Sequence, residues 1–480
     1  MNYKMVFYIL KRFMWMTALL LVLPLGISLY FQEGNVWPFL IPIIGLFAIS
    51  LLFGKKEPKN TTIYAKEGYL IVALAWIIIS LVGALPYYFS DLGLSYLDCV
   101  FETVSGLTTT GSSILTDVEA LSNGLLFWRS FTNWIGGMGV LVFLLAILPQ
   151  TNSHSVHLMR AEMPGHQVGK LVSKVKHTVQ ILYSIYIVMT LILIVLLLLG
   201  KMPLFDSVVA AFATAGTGGF AIKNASIAFY NNVYIEIVIG IFMILFGVNF
   251  NLYFLILTSH ALSALKSEEL RWYLAIILVA VLLIASNIYS IYQNTGDALR
   301  YAFFQVSSII TTTGFATTNF NLWPNFSKAL LVLLMFVGAM AGSTGGGIKV
   351  SRIIILFKTG LRDFKRLLSP RSVKVIKFEK QSLDSELVSS ISAYLIVFML
   401  LFVASVLVIA LDNIDLVTAF SAVAACINNI GPGLNGVGPV ENFSKLSDIS
   451  TLVLIFDMLA GRLELFPILM LFSPATWRRK

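Results

Sequence analysis

Ten apolar stretches, each close to the roughly 20 residues that a helix needs to cross a bilayer, dominate this chain. They fall near residues 13–31, 37–53, 69–90, 125–149, 179–199, 234–258, 272–292, 328–357, 390–411 and 449–473. Lipid offers no hydrogen bonds to a peptide backbone, so a chain with this pattern must fold as helices that satisfy their own polar groups. The rest of the composition agrees: 58% of the 480 residues are hydrophobic, 12% are charged and the mean hydropathy is +0.87, against roughly a quarter charged in soluble domains. The expected class is an all-α integral membrane protein.

The net charge of +9 gains meaning from its placement. Counted from an inner N-terminus, alternate connections hold Lys55, Lys56, Lys59 and Lys66, then Arg160, Lys170, Lys174 and Lys176, then Lys266 and Arg271, then the run from Lys349 to Lys380, and last Arg478, Arg479 and Lys480. The opposite connections carry only scattered cations such as Lys201, Lys223, Arg300, Lys328 and Lys445. The positive-inside rule therefore predicts both termini on the cytoplasmic side. Lys4, Lys11 and Arg12 precede the first stretch and no small-residue cleavage site follows it, so it reads as an anchor. Cys99 and Cys426 sit far apart in apolar sequence and offer neither a disulfide framework nor a CxxC site.

Between spans on the outer side lie four further segments, too short to cross a membrane, each ending in a glycine-bearing turn. They read LDCVFETVSGLTTTGSS (97–113), FDSVVAAFATAGTGGFA (205–221), YAFFQVSSIITTTGFAT (301–317) and VTAFSAVAACINNIGPG (417–433). Aligned on Gly111, Gly218, Gly314 and Gly431, they define an internal repeat of span, short helix, loop and span. A unit with two spans returns to its starting side, so the four copies are parallel, unlike the inverted repeats of many secondary transporters. One such turn alone reads equally well as a helix terminus or a small-residue packing face. Four at matching positions read as loops around one axis. Irregular backbone is tolerated at membrane depth when it lines a watery cavity, glycine lets the chain approach closely, and inward carbonyls can replace an ion's hydration shell.

The motifs TTTGSS, TAGTGGF, TTTGFATTNF and NNIGPGLNGVGP, in membrane-pore-membrane units over essentially the whole chain, resemble the superfamily of Trk, Ktr and HKT cation transporters. The resemblance implies four repeats around one pore in each protomer, with two extra N-terminal transmembrane helices. Their expected bounds are 1–66 for the N-terminal pair, 67–150, 177–265, 270–358 and 388–475 for the repeats, and 151–176 and 359–387 for cytoplasmic connections. It implies potassium uptake in a bacterial inner membrane, a homodimer, and a cytoplasmic nucleotide-binding regulatory subunit of the TrkA type. Potassium would be held mainly by backbone carbonyls of Thr109, Thr110 and Gly111; Gly216, Thr217 and Gly218; Thr312, Thr313 and Gly314; and Asn429, Ile430 and Gly431. All four glycines are present, where some sodium-favouring plant relatives have serine first. The fourth copy departs from the threonine pattern, so the pore is not strictly four-fold.

Two further features lie along the second spans. The run GAMAGSTGGGIK (338–349) places Gly342, Ser343, Thr344, Gly345, Gly346 and Gly347 inside the eighth stretch. It should break the helix, and the resemblance implies an intramembrane gate there; close packing through small residues is the other reading. A phosphate-binding loop is excluded, because Ile348 stands at the lysine position and Lys349 comes one residue late. Arg462, in FDMLAGRLELFP, costs at least about 2.5 kcal/mol inside a membrane; it either pairs with Asp457 or Glu464, or faces the pore beneath the filter, which the resemblance favours.

Catalysis finds no support: His154 and His157 lack the partners of a metal site, and no GxSxG elbow occurs. Basic segment 349–380 fits the positive-inside rule, anionic lipid or a docked subunit equally. A symporter coupled to sodium or protons is the alternative to a gated pore, although the spans show no acidic relay beyond Asp457 and Glu464.

Overall fold

The computed structural model describes residues 2–52, 58, 64–139, 175–258, 261–370 and 375–477. The second half of the 125–149 stretch, His154, His157 and most of the 151–176 connection lie outside the described residues, as do Lys55, Lys56, Lys59, Arg160, Lys170, Lys174 and the last three residues.

Helices α1 (Tyr3–Tyr30) and α2 (Trp37–Leu52) pack as an antiparallel pair. They are followed by α3 (Ala65–Gly83), its short continuation α4 (Leu85–Tyr88), the short helix α5 (Tyr96–Leu107) and α6 (Asn123–Gly137). Next come α7 (Val175–Leu199), the short α8 (Leu204–Ala215), α9 (Val233–Phe246), α10 (Phe250–Leu257) and α11 (Ala261–Leu265). Then follow α12 (Glu268–Tyr292), the short α13 (Thr295–Ile310), α14 (Asn325–Val337) and α15 (Val350–Leu368). A two-stranded hairpin, β1 (Lys377–Phe378) and β2 (Gln381–Ser382), leads to α16 (Ser385–Ile409), the short α17 (Leu416–Ile427), α18 (Asp448–Arg462), α19 (Phe466–Phe472) and α20 (Pro474–Trp477).

Among the described residues five helices are long and apolar enough to cross a membrane: Tyr3–Tyr30, Lys66–Tyr88, Val179–Leu199, Glu268–Tyr292 and Ser385–Asp412. Their outward faces carry large exposed apolar side chains such as Leu278, Leu282, Ile396 and Leu400, as surfaces solvated by lipid rather than water require.

The ten apolar runs are not ten unbroken helices. After each short helix the next helix stops part-way: α6 at Gly137, α9 at Phe246 with a 91° bend into α10, α14 at Val337 and α18 at Arg462. Only the third break was expected. Each stop has a local cause. Gly139 and Gly338 take left-handed backbone, and so do Glu464 and Leu465 ahead of Pro467. At the second break Gly247 leaves α9, and the Asn249 side chain then caps α10 at Asn251 N–H.

The N-terminal ends of three of the four short helices are fixed by polar caps; α8 follows Pro203 and has none. Ser95 accepts from Asp98 N–H while the Asp98 carboxylate accepts from Ser95 N–H, a reciprocal capping box. Asn294 and Asp415 cap α13 and α17 through Gly296 N–H and Thr418 N–H. Of 12 to 16 residues each, these helices reach roughly 18–24 Å at ~1.5 Å per residue. They end inside the protein, where their last turns are buried.

Candidate functional site: four loops in a ring and the segment beneath

All four short helices end in the same way. Thr109, Thr217, Thr312 and Asn429 take left-handed backbone with φ of 57°, 53°, 59° and 56°. Each donates its N–H three residues back, to Gly106, Thr214, Ile309 and Cys426. The next N–H, from Thr110, Gly218, Thr313 or Ile430, reaches five residues back, to Ser105, Ala213, Ser308 or Ala425, at 2.8 to 2.9 Å. This is the Schellman closure of a helix C-terminus, which normally places glycine at the left-handed position. Here three β-branched threonines occupy it, at about 1–2 kcal/mol of strain each, and in the fourth loop an asparagine, which tolerates this backbone. Strain of this kind persists where the surroundings over-determine it.

One residue further on, the chain again turns to positive φ, at Gly111 (79°), Gly219 (68°), Gly314 (86°) and Gly431 (106°). The structure thus corrects the sequence alignment of the second loop. Thr217, Gly218 and Gly219 match Thr109, Thr110 and Gly111, whereas Gly216 is the αR cap of α8, equivalent to Thr108. Two adjacent glycines left the register undetermined in sequence; the hydrogen bonds fix it.

These glycines close a ring. A Cβ on Gly111 would strike the carbonyl of Gly218, one on Gly219 that of Thr313, one on Gly314 that of Ile430, and one on Gly431 would lie 2.9 Å from that of Thr110. Each glycine therefore meets the carbonyl of the same position in the next loop, in cyclic order. The four glycines also line one cavity of about 160 Å³ on the outer face, room for several waters. At its rim Lys223 pairs with Glu119 at 3.0 Å and Asn224 donates to Asp117 at 2.8 Å. These bonds lower the pKa of both exposed carboxyls, so the rim holds its negative charge to a lower pH than free carboxylates would.

The other face of the ring is covered. Loop 338–349 passes directly beneath it: Gly346 N–H donates to Thr312 Oγ1 at 2.6 Å and Thr217 Oγ1 donates to Thr344 Oγ1 at 3.3 Å. The loop backbone is satisfied by the broken end of α9, with Met340 N–H on the Gly247 carbonyl (3.1 Å) and Thr344 N–H on the Phe246 carbonyl (3.4 Å), to which Thr344 Oγ1 also donates (3.1 Å). Lys349, buried, donates back to the Gly345 carbonyl. Arg462 enters from α18 and donates to the Thr344 carbonyl (2.8 Å), Thr109 Oγ1 (3.2 Å) and the carbonyls of Gly136 and Gly137. Asp457 instead accepts from Ser405 (2.8 Å), and Glu464 pairs with Arg352 (2.6 Å). The expected filter and gate residues are thus brought together, with Gly216 at their edge.

Sequence reasoning missed a buried ion pair behind the ring. Glu102 of α5 meets Arg129 of α6 at 2.6 Å, and both are buried. Glu102 also accepts from Ser113 Oγ and Ile114 N–H of the first loop (3.1 Å), while Arg129 donates to the Ala221 carbonyl of the second (2.7 Å) and covers the Phe220 ring. The available signal was Glu102, an acid in the middle of a 12-residue apolar segment and beyond its capping turn, and Arg129, an arginine inside an apolar span.

Several apolar helices of membrane-crossing length, together with four buried loops that meet in a ring, define a multi-pass membrane protein. Residues 41–479 match the family model TrkH, described as "Cation transport protein", and the chain belongs to that family. The Trk system potassium uptake protein TrkH of Salmonella typhimurium is 36% identical over 464 residues, covering 95% of this chain and 96% of the relative. TrkH of Vibrio parahaemolyticus is 34% identical, with 100% of both chains covered. The crystal structure of the potassium transporter TrkH from Vibrio parahaemolyticus superposes with a TM-score of 0.89 at 31% identity, over 100% of each chain.

Proposed function

We propose that this protein takes up potassium across a bacterial inner membrane through a selective, gated pore. The observation that carries the reading is the ring itself: four equivalent loops whose glycines each abut a carbonyl of the next loop. Carbonyls at such a constriction substitute for an ion's hydration shell. The proposed filter is Thr109, Thr110 and Gly111; Thr217, Gly218 and Gly219; Thr312, Thr313 and Gly314; and Asn429, Ile430 and Gly431. The proposed gate is loop 338–349, with Gly342, Ser343, Thr344, Gly345, Gly346 and Gly347 below the filter and the Arg462 cation against it. The repeats run in parallel around that axis, with α1 and α2 outside them and both termini cytoplasmic. The Trk-system names of the relatives support other Trk components as partners; a TrkA-type nucleotide-binding subunit on the cytoplasmic side and a homodimer are the proposed assembly. Potassium is cargo in this reading, and the protein catalyses no reaction.

The test is flux through purified protein in liposomes at clamped voltage, with potassium opposed to sodium and the regulatory subunit added where the protein alone is silent. A reversal potential near the potassium value is the expected result. Potassium moving uphill only with a sodium or proton gradient would replace the pore with a symporter. In the same assay Arg462→Ala is expected to raise potassium flux about thirtyfold, since a like charge ~8 Å from the ion costs about 2 kcal/mol at an effective dielectric constant of ~20 and each ~1.4 kcal/mol is a factor of ten. Unchanged flux in that variant would remove Arg462 from the ion's path.

A further inference from the structure

Loop 338–349 is held at both ends by one side chain. Glu269, buried in the first turn of α12, accepts from Ala341 N–H at 2.8 Å and from Ser351 N–H at 3.1 Å, both on Oε1. Those two amides bracket the run from Gly342 to Val350, so a single carboxylate oxygen closes the loop like a drawstring. Charge-assisted bonds from backbone amides are stronger than neutral ones. A second carboxylate in turn holds the N-terminus of α12. Glu379 Oε1 accepts from Ser267 Oγ at 2.7 Å and from Glu269 N–H at 3.0 Å.

Glu379 lies at the tip of the β1–β2 hairpin, and its backbone is unusual. Glu379 and Lys380 both have positive φ, 48° and 64°, the backbone of a two-residue turn that normally takes Asn-Gly or Gly-Gly. A Glu-Lys pair there is strained, and the glutamate contributes a carboxylate that glycine lacks. The hairpin is also tied to α15, where Lys358 donates to the Lys377 carbonyl at 2.8 Å and pairs with Glu268. The segment after the loop therefore folds back onto the residue that positions the loop.

We propose that Glu269 is the positioning residue of loop 338–349, and that Glu379 in the 377–382 hairpin holds Glu269 in place. A pull on the hairpin is passed through two carboxylates to both ends of the loop. This inference rests on the reading of the loop as a gate, and two readouts separate it from that reading. In full-length protein in liposomes, Glu269→Ala is expected to raise basal potassium flux about tenfold with the potassium/sodium permeability ratio unchanged. In a Ser343→Cys background the same change is expected to speed labelling of the new thiol by a membrane-permeant maleimide about tenfold; the native Cys99 and Cys426 are buried. Glu269→Gln, whose amide oxygen still accepts from both N–H groups, should restore most of the closure, and Glu379→Ala should move both readouts the same way by about threefold. A residue that mattered only for folding would lower flux in every variant and would not be rescued by Gln. Wild-type labelling in Glu269→Ala overturns the proposal whatever the flux does. If labelling rises but neither Glu269→Ala nor deletion of residues 345–347 changes flux, Glu269 positions the loop and the gate reading falls instead. Should Glu269→Ala fail to assemble, Glu379→Ala carries the same two readouts, and wild-type labelling there overturns the proposal.

Discussion

With serine in place of Gly219, the reversal potential under opposed potassium and sodium is expected to collapse from the potassium value toward zero. Two costs coincide at this position. Backbone at φ 68° strains any residue with a Cβ by about 1–2 kcal/mol, and that Cβ would strike the Thr313 carbonyl, which cannot yield without opening the ring. Gly218→Ser is the matched comparison. Its backbone is ordinary and the equivalent positions carry Thr110, Thr313 and Ile430; its Cβ would strike the buried Asn133 side chain, so the cost falls on a side chain that must shift and not on the carbonyls of the ring. It is expected to keep most of the selectivity. Equal loss in both variants would overturn the register of the second loop, and wild-type selectivity in Gly219→Ser would overturn the ring as the filter.

Arg129→Leu is expected to be the most destabilising single change among the side chains around the ring. Breaking one partner of a buried ion pair leaves an uncompensated charge, typically at 3–5 kcal/mol, whereas replacing both partners with apolar groups often costs little. Glu102 would keep its bonds from Ser113 and Ile114 but lose its counter-charge, and the Ala221 carbonyl would lose its donor. A clear drop in melting temperature of the purified protein is expected for Arg129→Leu and for Glu102→Leu, with the double variant more stable than either. Such non-additivity is the signature of direct coupling. Additive losses would mean that the two side chains act independently. Because the pair ties the first loop to the second, the single variants are also expected to lose selectivity before they unfold.

Much of this arrangement was legible in the sequence, and the failures have physical causes. TTTG at 108–111 and 311–314 signals a helix stop whose glycine follows at a fixed offset, and the short helices before it are bounded by Ser, Asn or Asp caps. The second loop misled because Gly218 and Gly219 are equally free to turn, and only hydrogen bonding to Ala213 distinguishes them. The breaks after Phe246 and Arg462 escaped notice because isolated glycines are tolerated in helices; the one after Gly137 carries only the short cluster Gly136, Gly137 and Gly139, against five glycines in 338–347. Glu102 and Arg129 were invisible as a pair: they lie 27 residues apart, and no local periodicity links an acid on one helix to a base on the next. Glu269 carries no sequence signal for its role, since the first amide it holds lies 72 residues downstream.

The cyclic order of the ring has a mechanical consequence. Each glycine bears on the next loop's carbonyl as one stone of an arch bears on its neighbour, so no loop can retreat or advance alone. The aperture belongs to the set. Asn429 and Ile430, which break the threonine pattern, belong to the loop whose glycine stands off furthest: a Cβ on Gly431 would lie 2.9 Å from the Thr110 carbonyl, against a closer approach at each of the other three joints, so the slack of the circle is gathered at that one joint.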